Sequence, residues 1–177
     1  MPHPDTGEIV WLSPDPRAVI PLDGFHVSRS LAKSLAKLDF VVTIDQDFLG
    51  VMRGCGDRKE TWITNEFLDA YGRLFQEGFA HSVEVRDAAT RELIGGVYGV
   101  ALRGAFFAES MFHRRTDASK IALKYLVDSL RNGGFALLEV QFLTPHLASL
   151  GAIEIPAEDY MQRLEEAFSV PPGNLAL

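Results

Sequence analysis

The sequence predicts one α/β domain built around a mixed β-sheet. Amphipathic helical patterns alternate with short apolar strands, as in domains whose helices cover a sheet. Two adjacent strand patterns flank Arg103-Gly104, which is typical of a hairpin turn. The 177 residues are 47% hydrophobic, enough for one substantial core. We therefore expect a single mixed sheet with helices packed on it.

The N-terminal segment, residues 1–24, is rich in proline. Proline fixes φ and removes a backbone donor, so this density forbids a regular helix or a central strand. We expect an extended segment packed on the domain, with the domain itself formed by residues 25–177. The prolines of the segment are Pro2, Pro4, Pro14, Pro16 and Pro21.

The domain is expected to begin with a helix over residues 28–38. Leu31, Leu35 and Leu38 recur at helical spacing and should face inward. A short apolar run over residues 40–44 predicts the first strand.

Two further helices and three strands follow. A helix over residues 46–54 is closed by glycine, and a second runs from a threonine N-cap at position 64 to about residue 76. Alternating apolar residues then predict strands over residues 80–86, 92–102 and 105–112.

The C-terminal part returns to alternating elements. A helix over residues 117–132 ends at a double glycine, and a strand begins near Ala136. A short helix should start at Pro145, followed by a strand over residues 152–155 and a last helix over residues 157–168.

Glu139 and Gln141 interrupt the apolar strand after Ala136. Side chains two apart in a strand point to the same side. That side is either solvated, or holds satisfied core polar groups, or holds a general base with an orienting amide. The third reading fits a carboxylate near the C-terminal end of a strand, where substrates meet α/β sheets.

Glu109 is a second candidate carboxylate, flanked by Phe107 and Met111. A carboxylate among apolar side chains suits an ammonium group held beside an apolar substituent. The alternative is an edge-strand glutamate that faces water. Gly95-Gly96 lies inside a strand pattern and indicates a bulge or close packing.

Arg29, Lys33 and Lys37 form a basic stripe along the first helix. The stripe is either a solvated helix face or a phosphate-binding surface. The net charge of −7 argues against a broad nucleic-acid-coating surface, although it leaves room for a local basic patch.

Cys55 is the single cysteine, so no internal disulfide can form and a reducing cytoplasm is the expected compartment. The thiol is either an ordinary small residue or, near Arg53 and Arg58, an activated one. No apolar run is long enough to cross a bilayer, no signal peptide is evident, and no Cys/His cluster has zinc spacing.

Six segments, in order along the chain, resemble the leucyl/phenylalanyl-tRNA–protein transferase family. They are WLSPDPRAVIP (11–21), HVSRSL (26–31), GCGDRKETWIT (54–64), GGVYGV (95–100), AESMFHRRTDASKIAL (108–123) and EVQFLTPHLASLGAIEIP (139–156). The resemblance implies an acetyltransferase-like (GNAT) fold. It also implies transfer of leucine or phenylalanine, less readily methionine, from aminoacyl-tRNA to proteins with N-terminal Arg or Lys, which marks them for degradation. Neither a metal nor acetyl-CoA is implied.

The resemblance also assigns residues. Glu139 and Gln141 fall at the family's proposed catalytic carboxylate and amide, and Glu109 at the carboxylate that binds the aminoacyl ammonium. Trp62 falls at a tryptophan that holds the terminal adenosine, and the stripe Arg29, Lys33 and Lys37 at basic, tRNA-contacting positions. The apolar pocket for the aminoacyl side chain is implied at Val97, Met111, Leu123 and Leu126.

The chain departs from the family pattern in two ways. Glu139 replaces an aspartate, which moves the carboxylate by one methylene, and a substrate-assisted route through the adenosine is an alternative mechanism. The match also starts late, because relatives usually carry a further N-terminal region; Met1 is then an internal methionine of a longer frame or the start of a truncated form. Alternative functions are a related transferase with another donor, or a module that binds aminoacyl groups or protein N-termini without turnover.

Overall fold

The computed structural model describes residues 13–177, in which one seven-stranded sheet carries helices on both faces. The strands are β1 (Arg17–Val19), β2 (Phe40–Ile44), β3 (Ala80–Asp87), β4 (Leu93–Leu102), β5 (Ala105–His113), β6 (Leu137–Gln141) and β7 (Ile153–Ile155). The helices are α1 (Arg29–Ala36), α2 (Phe48–Gly56), α3 (Asn65–Gln76), α4 (Ala118–Asn132), α5 (Pro145–Ala148) and α6 (Ala157–Ser169).

The sheet is mixed, as the sequence predicts. Its strand order is β2-β3-β4-β5-β6-β1-β7. All neighbours are antiparallel except β5 and β6, which are parallel and are connected through α4. An antiparallel meander followed by a helical crossover to a parallel strand agrees with the acetyltransferase-like fold that the resemblance implies.

Strand alternation divides the core between the two faces. Val97 and Phe106 pack on the α4 side, together with α1. Tyr98 points to the opposite face, where it packs with α2 and α3. Ala105 and Leu137 belong to that second face as well, farther along the sheet, where α6 covers them. The second face is therefore covered by two separate helical groups.

The helices and strands predicted for residues 25–177 are confirmed, with ends within two residues of the expected positions. Thr64 is the N-cap of α3. The Gly95-Gly96 pair does serve close packing: a Cβ on Gly95 would lie 2.6 Å from the Cβ of Ala118, and one on Gly96 would lie 2.9 Å from Val51. Side chains at these positions would push α4 and α2 off the sheet.

The prediction that the proline-rich segment contains no central strand is wrong. β1 lies inside the sheet, paired with β6 on one side and β7 on the other. Pro16 and Pro21 flank the strand without entering it, so the backbone N–H groups of residues 17–20 remain available. The expectations for residues 1–12 lie outside the described residues.

Leu38 is predicted to face inward from the first helix, but it faces solvent. Its side chain is 74% exposed, whereas Leu31 is fully buried. The helix ends at Ala36, and Leu38 has a φ of 53°, which takes it out of the helical repeat. Among residues 13–177, no helix is both long and apolar enough to cross a membrane.

A candidate active site where two strands diverge

β5 and β6 stay together for only three residue pairs. Ala105, Phe106 and Phe107 pair with Leu137, Leu138 and Glu139, and β5 then continues to His113 in contact with β4. The gap that opens between β5 residues 108–113 and the end of β6 is called the wedge here. Both candidate carboxylates, Glu109 and Glu139, lie at its start.

The direction of the Glu109 side chain is set by a β-bulge in β5. Ala108 pairs with Gly99 and Ser110 pairs with Tyr98, so Glu109 is the extra residue of a β-bulge. A bulge bends the strand and re-aims the side chain of the extra residue. β5 is not an edge strand and Glu109 is half-buried, so the water-facing alternative is wrong.

The Glu109 carboxyl group is coupled to Tyr71 of α3. Burial raises the pKa of Glu109, and the nearby Tyr71 hydroxyl opposes that rise. The pKa of Tyr71 is raised in turn, mainly by burial and then by the charge of Glu109. Tyr71 therefore stabilises the ionised carboxylate, which is the form that binds an ammonium group.

Glu139 is buried, with 2% of its surface exposed, so the solvated reading of this strand side is wrong. The Gln141 backbone N–H donates to Oε1 of Glu139 at 2.9 Å, and Nε of Arg17 lies 3.3 Å from the same oxygen. Within residues 13–177, both of these contacts go to Oε1, and no residue in that range hydrogen-bonds or ion-pairs with Oε2.

A second bulge shapes this end of β6. Val19 pairs with Glu139 and Ala18 pairs with Gln141, so Val140 is the extra residue. Gln141 has a φ of 62°, a left-handed conformation, and strand alternation does not extend to it. Its contact with Glu139 runs through the backbone; a role for its side-chain amide stays a prediction.

Burial raises the pKa of Glu139 to about 6, even though Arg17 and the Gln141 N–H lower it. Arg17 is held in place by Tyr160 of α6: its guanidinium carbon lies 4.6 Å from the ring centroid, and Nη2 is 3.5 Å from the hydroxyl oxygen. A carboxylate with a pKa near neutrality accepts a proton effectively at physiological pH.

The four apolar residues assigned to the side-chain pocket lie together. Val97 of β4 pairs directly with Met111 of β5, and Leu123 and Leu126 of α4 pack in the same core cluster. Val97, Leu123 and Leu126 are at most 2% exposed. Met111 also lines a cavity of about 460 Å³. The structure thus brings the set together on the α4 side of the wedge.

The residues assigned to tRNA lie in two places. Trp62 is half-buried just before α3, with its ring 5.1 Å from that of Phe67 in an edge-to-face arrangement. Arg29, Lys33 and Lys37 are exposed along and just after α1, on the other face of the sheet. The basic stripe and Trp62 therefore do not form one local site.

Cys55 is not an activated thiol. It is buried, and burial raises its pKa to about 12. The neighbouring Arg58 directs Nε to the Cys55 carbonyl oxygen at 2.7 Å. The thiol is therefore protonated at neutral pH, as expected of an ordinary small core residue. Among the described residues, no group of three His, Cys, Asp or Glu side chains is placed to hold a metal ion.

Sequence reasoning missed the residues that set the environment of the two carboxylates. Arg17 lies in one of the segments that resemble the family, but the sequence pattern around it does not indicate that it contacts Glu139, more than 100 residues away. Tyr71 belongs to an ordinary helical pattern. Tyr98 is fully buried beneath this region, and no described residue hydrogen-bonds its hydroxyl. Only the folded sheet relates these residues to the site.

Comparison with known proteins identifies the family of the chain. The family model for leucyl/phenylalanyl-tRNA protein transferase matches residues 19–165. The chain is 55% identical over 174 residues to a leucyl/phenylalanyl-tRNA–protein transferase of Cereibacter sphaeroides, covering 96% of this chain and 80% of the relative. It is 54% identical over 173 residues to one of Roseobacter denitrificans, covering 98% and 81%.

These matches place the protein in the class of aminoacyltransferases. The chain belongs to the leucyl/phenylalanyl-tRNA protein transferase family. Among solved structures, L-PGS from Bacillus licheniformis is similar with a TM-score of 0.48 and 14% identity, over 76% of this chain and 50% of that one, a likeness too low to bear on function.

Proposed function

We propose that the protein transfers leucine or phenylalanine, and less readily methionine, from aminoacyl-tRNA to the N-terminal Arg or Lys of acceptor proteins, which marks them for degradation. The observation that carries the proposal is the pair of carboxylates at the wedge. Glu139 is buried with a pKa of about 6, and Glu109 is bulged toward the same gap with a tyrosine partner. Two carboxylates in different environments suit two different roles.

The donor would be bound through its aminoacyl group. Glu109 would accept hydrogen bonds from the α-ammonium, which supports its ionised form. The apolar side chain would enter the core beside Val97 and Met111, above Leu123 and Leu126. A purely apolar pocket rejects polar side chains but separates leucine from methionine weakly, since one methylene is worth about 1–3 kcal/mol.

The reaction would proceed by attack of the acceptor's α-amine on the ester carbonyl. A C–N bond forms, and the bond between the carbonyl carbon and the ribose oxygen breaks. Oε2 of Glu139 would take the proton that the amine loses and return it to the departing ribose oxygen, which leaves Glu139 ionised again. Gln141 would orient the amine. Because the ester is already activated, positioning supplies much of the rate.

The longer side chain at position 139 is accommodated by its partners. The Gln141 N–H and Arg17 both hold Oε1, so the position of Oε2 is restricted by two contacts and by burial. We propose that this restraint lets a glutamate work where relatives have an aspartate. The bulge at Val140 supports this, because it changes the path of β6 next to the carboxylate.

The remaining assignments complete the proposal. Trp62 would stack on the terminal adenosine, a contact worth about 1–3 kcal/mol. The exposed stripe Arg29, Lys33 and Lys37 would contact tRNA phosphates elsewhere on the molecule. The cytoplasm is the proposed compartment, which agrees with a single buried thiol.

Transfer of labelled leucine from leucyl-tRNA to a peptide with N-terminal Arg tests the proposal. We expect product with this peptide and none with the same peptide carrying N-terminal Ser. The control variant Glu165→Gln removes an exposed carboxylate of α6 and should match the unmodified protein. If the folded protein forms no product from leucyl- or phenylalanyl-tRNA, the proposed function is wrong.

A further inference from the structure

A groove beside the wedge is the feature that the proposed site leaves unused. Two cavities, of about 460 Å³ and about 380 Å³, share the residues Asp57 and Arg114 and therefore adjoin. The larger cavity reaches Met111, next to the proposed aminoacyl pocket. The smaller one reaches Ile63, the neighbour of Trp62 in sequence. We call the joined cavities the arginine groove.

The groove is positively charged within an acidic protein. Its walls carry Arg53, Arg58 and Arg114, together with His113 and His146. Asp57 is the only carboxylate among the described lining residues; its side chain is 77% exposed and lies 3.8 Å from Arg114. It offsets the charge of one arginine, and Arg53 and Arg58 remain as the excess positive charge of the lining. The whole chain has a net charge of −7, so this surface departs from its average.

Arg58 is fixed in position before any partner binds. Its Nε donates to the carbonyl oxygen of Cys55 at 2.7 Å, and its Nη2 lies 3.2 Å from Oγ of Ser110 and 3.1 Å from the carbonyl oxygen of Met111. None of these partners is a carboxylate, and no ion pair joins Arg58 to another residue of 13–177. A preorganised guanidinium loses little conformational entropy when it binds an anion.

Arg114 is positioned by a similar set of neutral contacts. Its Nη1 donates to the carbonyl oxygen of Leu93 at 3.2 Å, and its guanidinium lies 5.4 Å from the Phe112 ring centroid. The same ring packs against Gly54, where a Cβ would lie only 2.5 Å from it. Gly54 thus lets α2, which carries Arg53, approach β5 closely.

We propose, on the basis of the proposed function, that the arginine groove binds the single-stranded 3′ end of the donor tRNA through its phosphates. One end of the groove meets the aminoacyl pocket at Met111, where Phe112 also forms part of the lining. A positive groove with an aromatic ring in its wall is a usual way in which proteins bind single-stranded nucleic acid. The acceptor's basic N-terminal residue would be repelled by the same charges.

Binding of RNA tests the groove separately from transfer. The probe is a fluorescein-labelled single-stranded RNA hexamer ending in CCA, measured by anisotropy over a range of salt concentrations. Arg53→Gln and Arg114→Gln should each weaken binding about fivefold and reduce the slope of log K against log salt by about 0.7, the value for one phosphate contact with a single strand. Arg163→Gln, at an exposed arginine of α6, is the matched control.

Transfer from two donors of different length locates the effect. The groove variants should lower kcat/KM for leucylated CCA trinucleotide at least tenfold more than for leucyl-adenosine, which has no internucleotide phosphate. Equal losses with both donors, or equal binding by Arg114→Gln and Arg163→Gln with unchanged thermal stability, would overturn the proposal. Displacement of the RNA by an acidic peptide at the same concentration would instead assign the groove to an acidic protein partner.

The outcomes separate this proposal from the transferase assignment. Arginine-dependent RNA binding without any leucyl transfer keeps the groove and rejects the proposed reaction. Leucyl transfer with RNA binding that is unchanged by Arg53→Gln and Arg114→Gln keeps the reaction and rejects the groove.

Discussion

Glu84 in β3 and Glu139 in β6 are both buried in the same sheet, but their carboxylate oxygens have different hydrogen-bond partners. Glu84 is satisfied on both oxygens by neutral donors. The Ser82 and Thr43 hydroxyls bind it at 2.5 Å, and the backbone N–H groups of Gln46 and Asp47 approach it at 3.4 Å. Among residues 13–177, the contacts of Glu139 reach Oε1 only.

The difference distinguishes a structural carboxylate from the proposed general base. Glu84 ties the start of α2 to β2 and β3, and each of its oxygens is already occupied. No described residue contacts Oε2 of Glu139, and burial raises the pKa of this residue to about 6. Burial is common to both residues, so the proposal that Glu139 is the general base rests on how its partners are distributed.

Glu139→Gln should produce the largest effect on the reaction. The amide cannot accept the amine's proton, so we expect turnover to fall by about 10²–10⁴-fold, the usual contribution of a general base. Binding of aminoacyl-tRNA should change little. Single-turnover transfer measured at saturating donor checks this, and undiminished turnover would remove Glu139 from the chemistry.

Glu84→Ala should mainly affect stability. It leaves two hydroxyls and two N–H groups without their acceptor, and leaving a buried group unpaired costs about 1–3 kcal/mol. We expect a lower free energy of unfolding in denaturant titration. The fraction that remains folded should keep near-normal turnover; a loss as large as that of Glu139→Gln would contradict the distinction between the two residues.

The dependence of kcat/KM on pH should show the pKa of Glu139 and the effect of Arg17 on that pKa. A base must be deprotonated to act, so kcat/KM should fall as pH drops through about 6, well above the range of an exposed carboxyl group. Arg17→Gln removes the positive charge that lowers this pKa, and the acid limb should move to higher pH. Arg17→Lys should restore part of the shift. If kcat/KM falls at the same acidic pH in the unmodified protein, Arg17→Gln and Arg17→Lys, Arg17 does not lower the pKa of Glu139.

Tyr71→Phe should produce the smallest effect. It removes the hydroxyl that supports the ionised form of Glu109, so the carboxylate becomes harder to ionise. We expect KM for the donor to rise about tenfold, which corresponds to about 1.4 kcal/mol, with little change in kcat. Kinetics at varied leucyl-tRNA concentration separate the two constants; a change confined to kcat would argue against a role in donor binding.

Long periodic segments made most of the fold predictable from the sequence. α4 shows helical spacing from Ile121 to Leu130, and β4 and β5 show a hairpin around Arg103. β1 could not be found in this way, since three residues between prolines carry no period. Its strand character comes from its neighbours in the sheet.

The candidate site was predictable only as separate residues. Motifs point to Glu109 and Glu139, but bulges depend on how two strands register against each other. Spacing therefore does not reveal that Glu109 is the extra residue opposite Tyr98 and Gly99. Likewise, the alternation of β3 assigns Glu84 to the face away from Val83 and Val85, and only α2 packing on that face shows that it is buried.

The position of β1 has a consequence for the order in which the protein matures. Residues 17–19 leave the ribosome early, yet their partners in β6 and β7 are made more than 100 residues later. The middle of the sheet can pair while synthesis continues, whereas β1 must wait for the end of the chain. Arg17 therefore meets Glu139 only after β6, more than 100 residues further along the chain, has been made, so this buried ion pair forms late in folding.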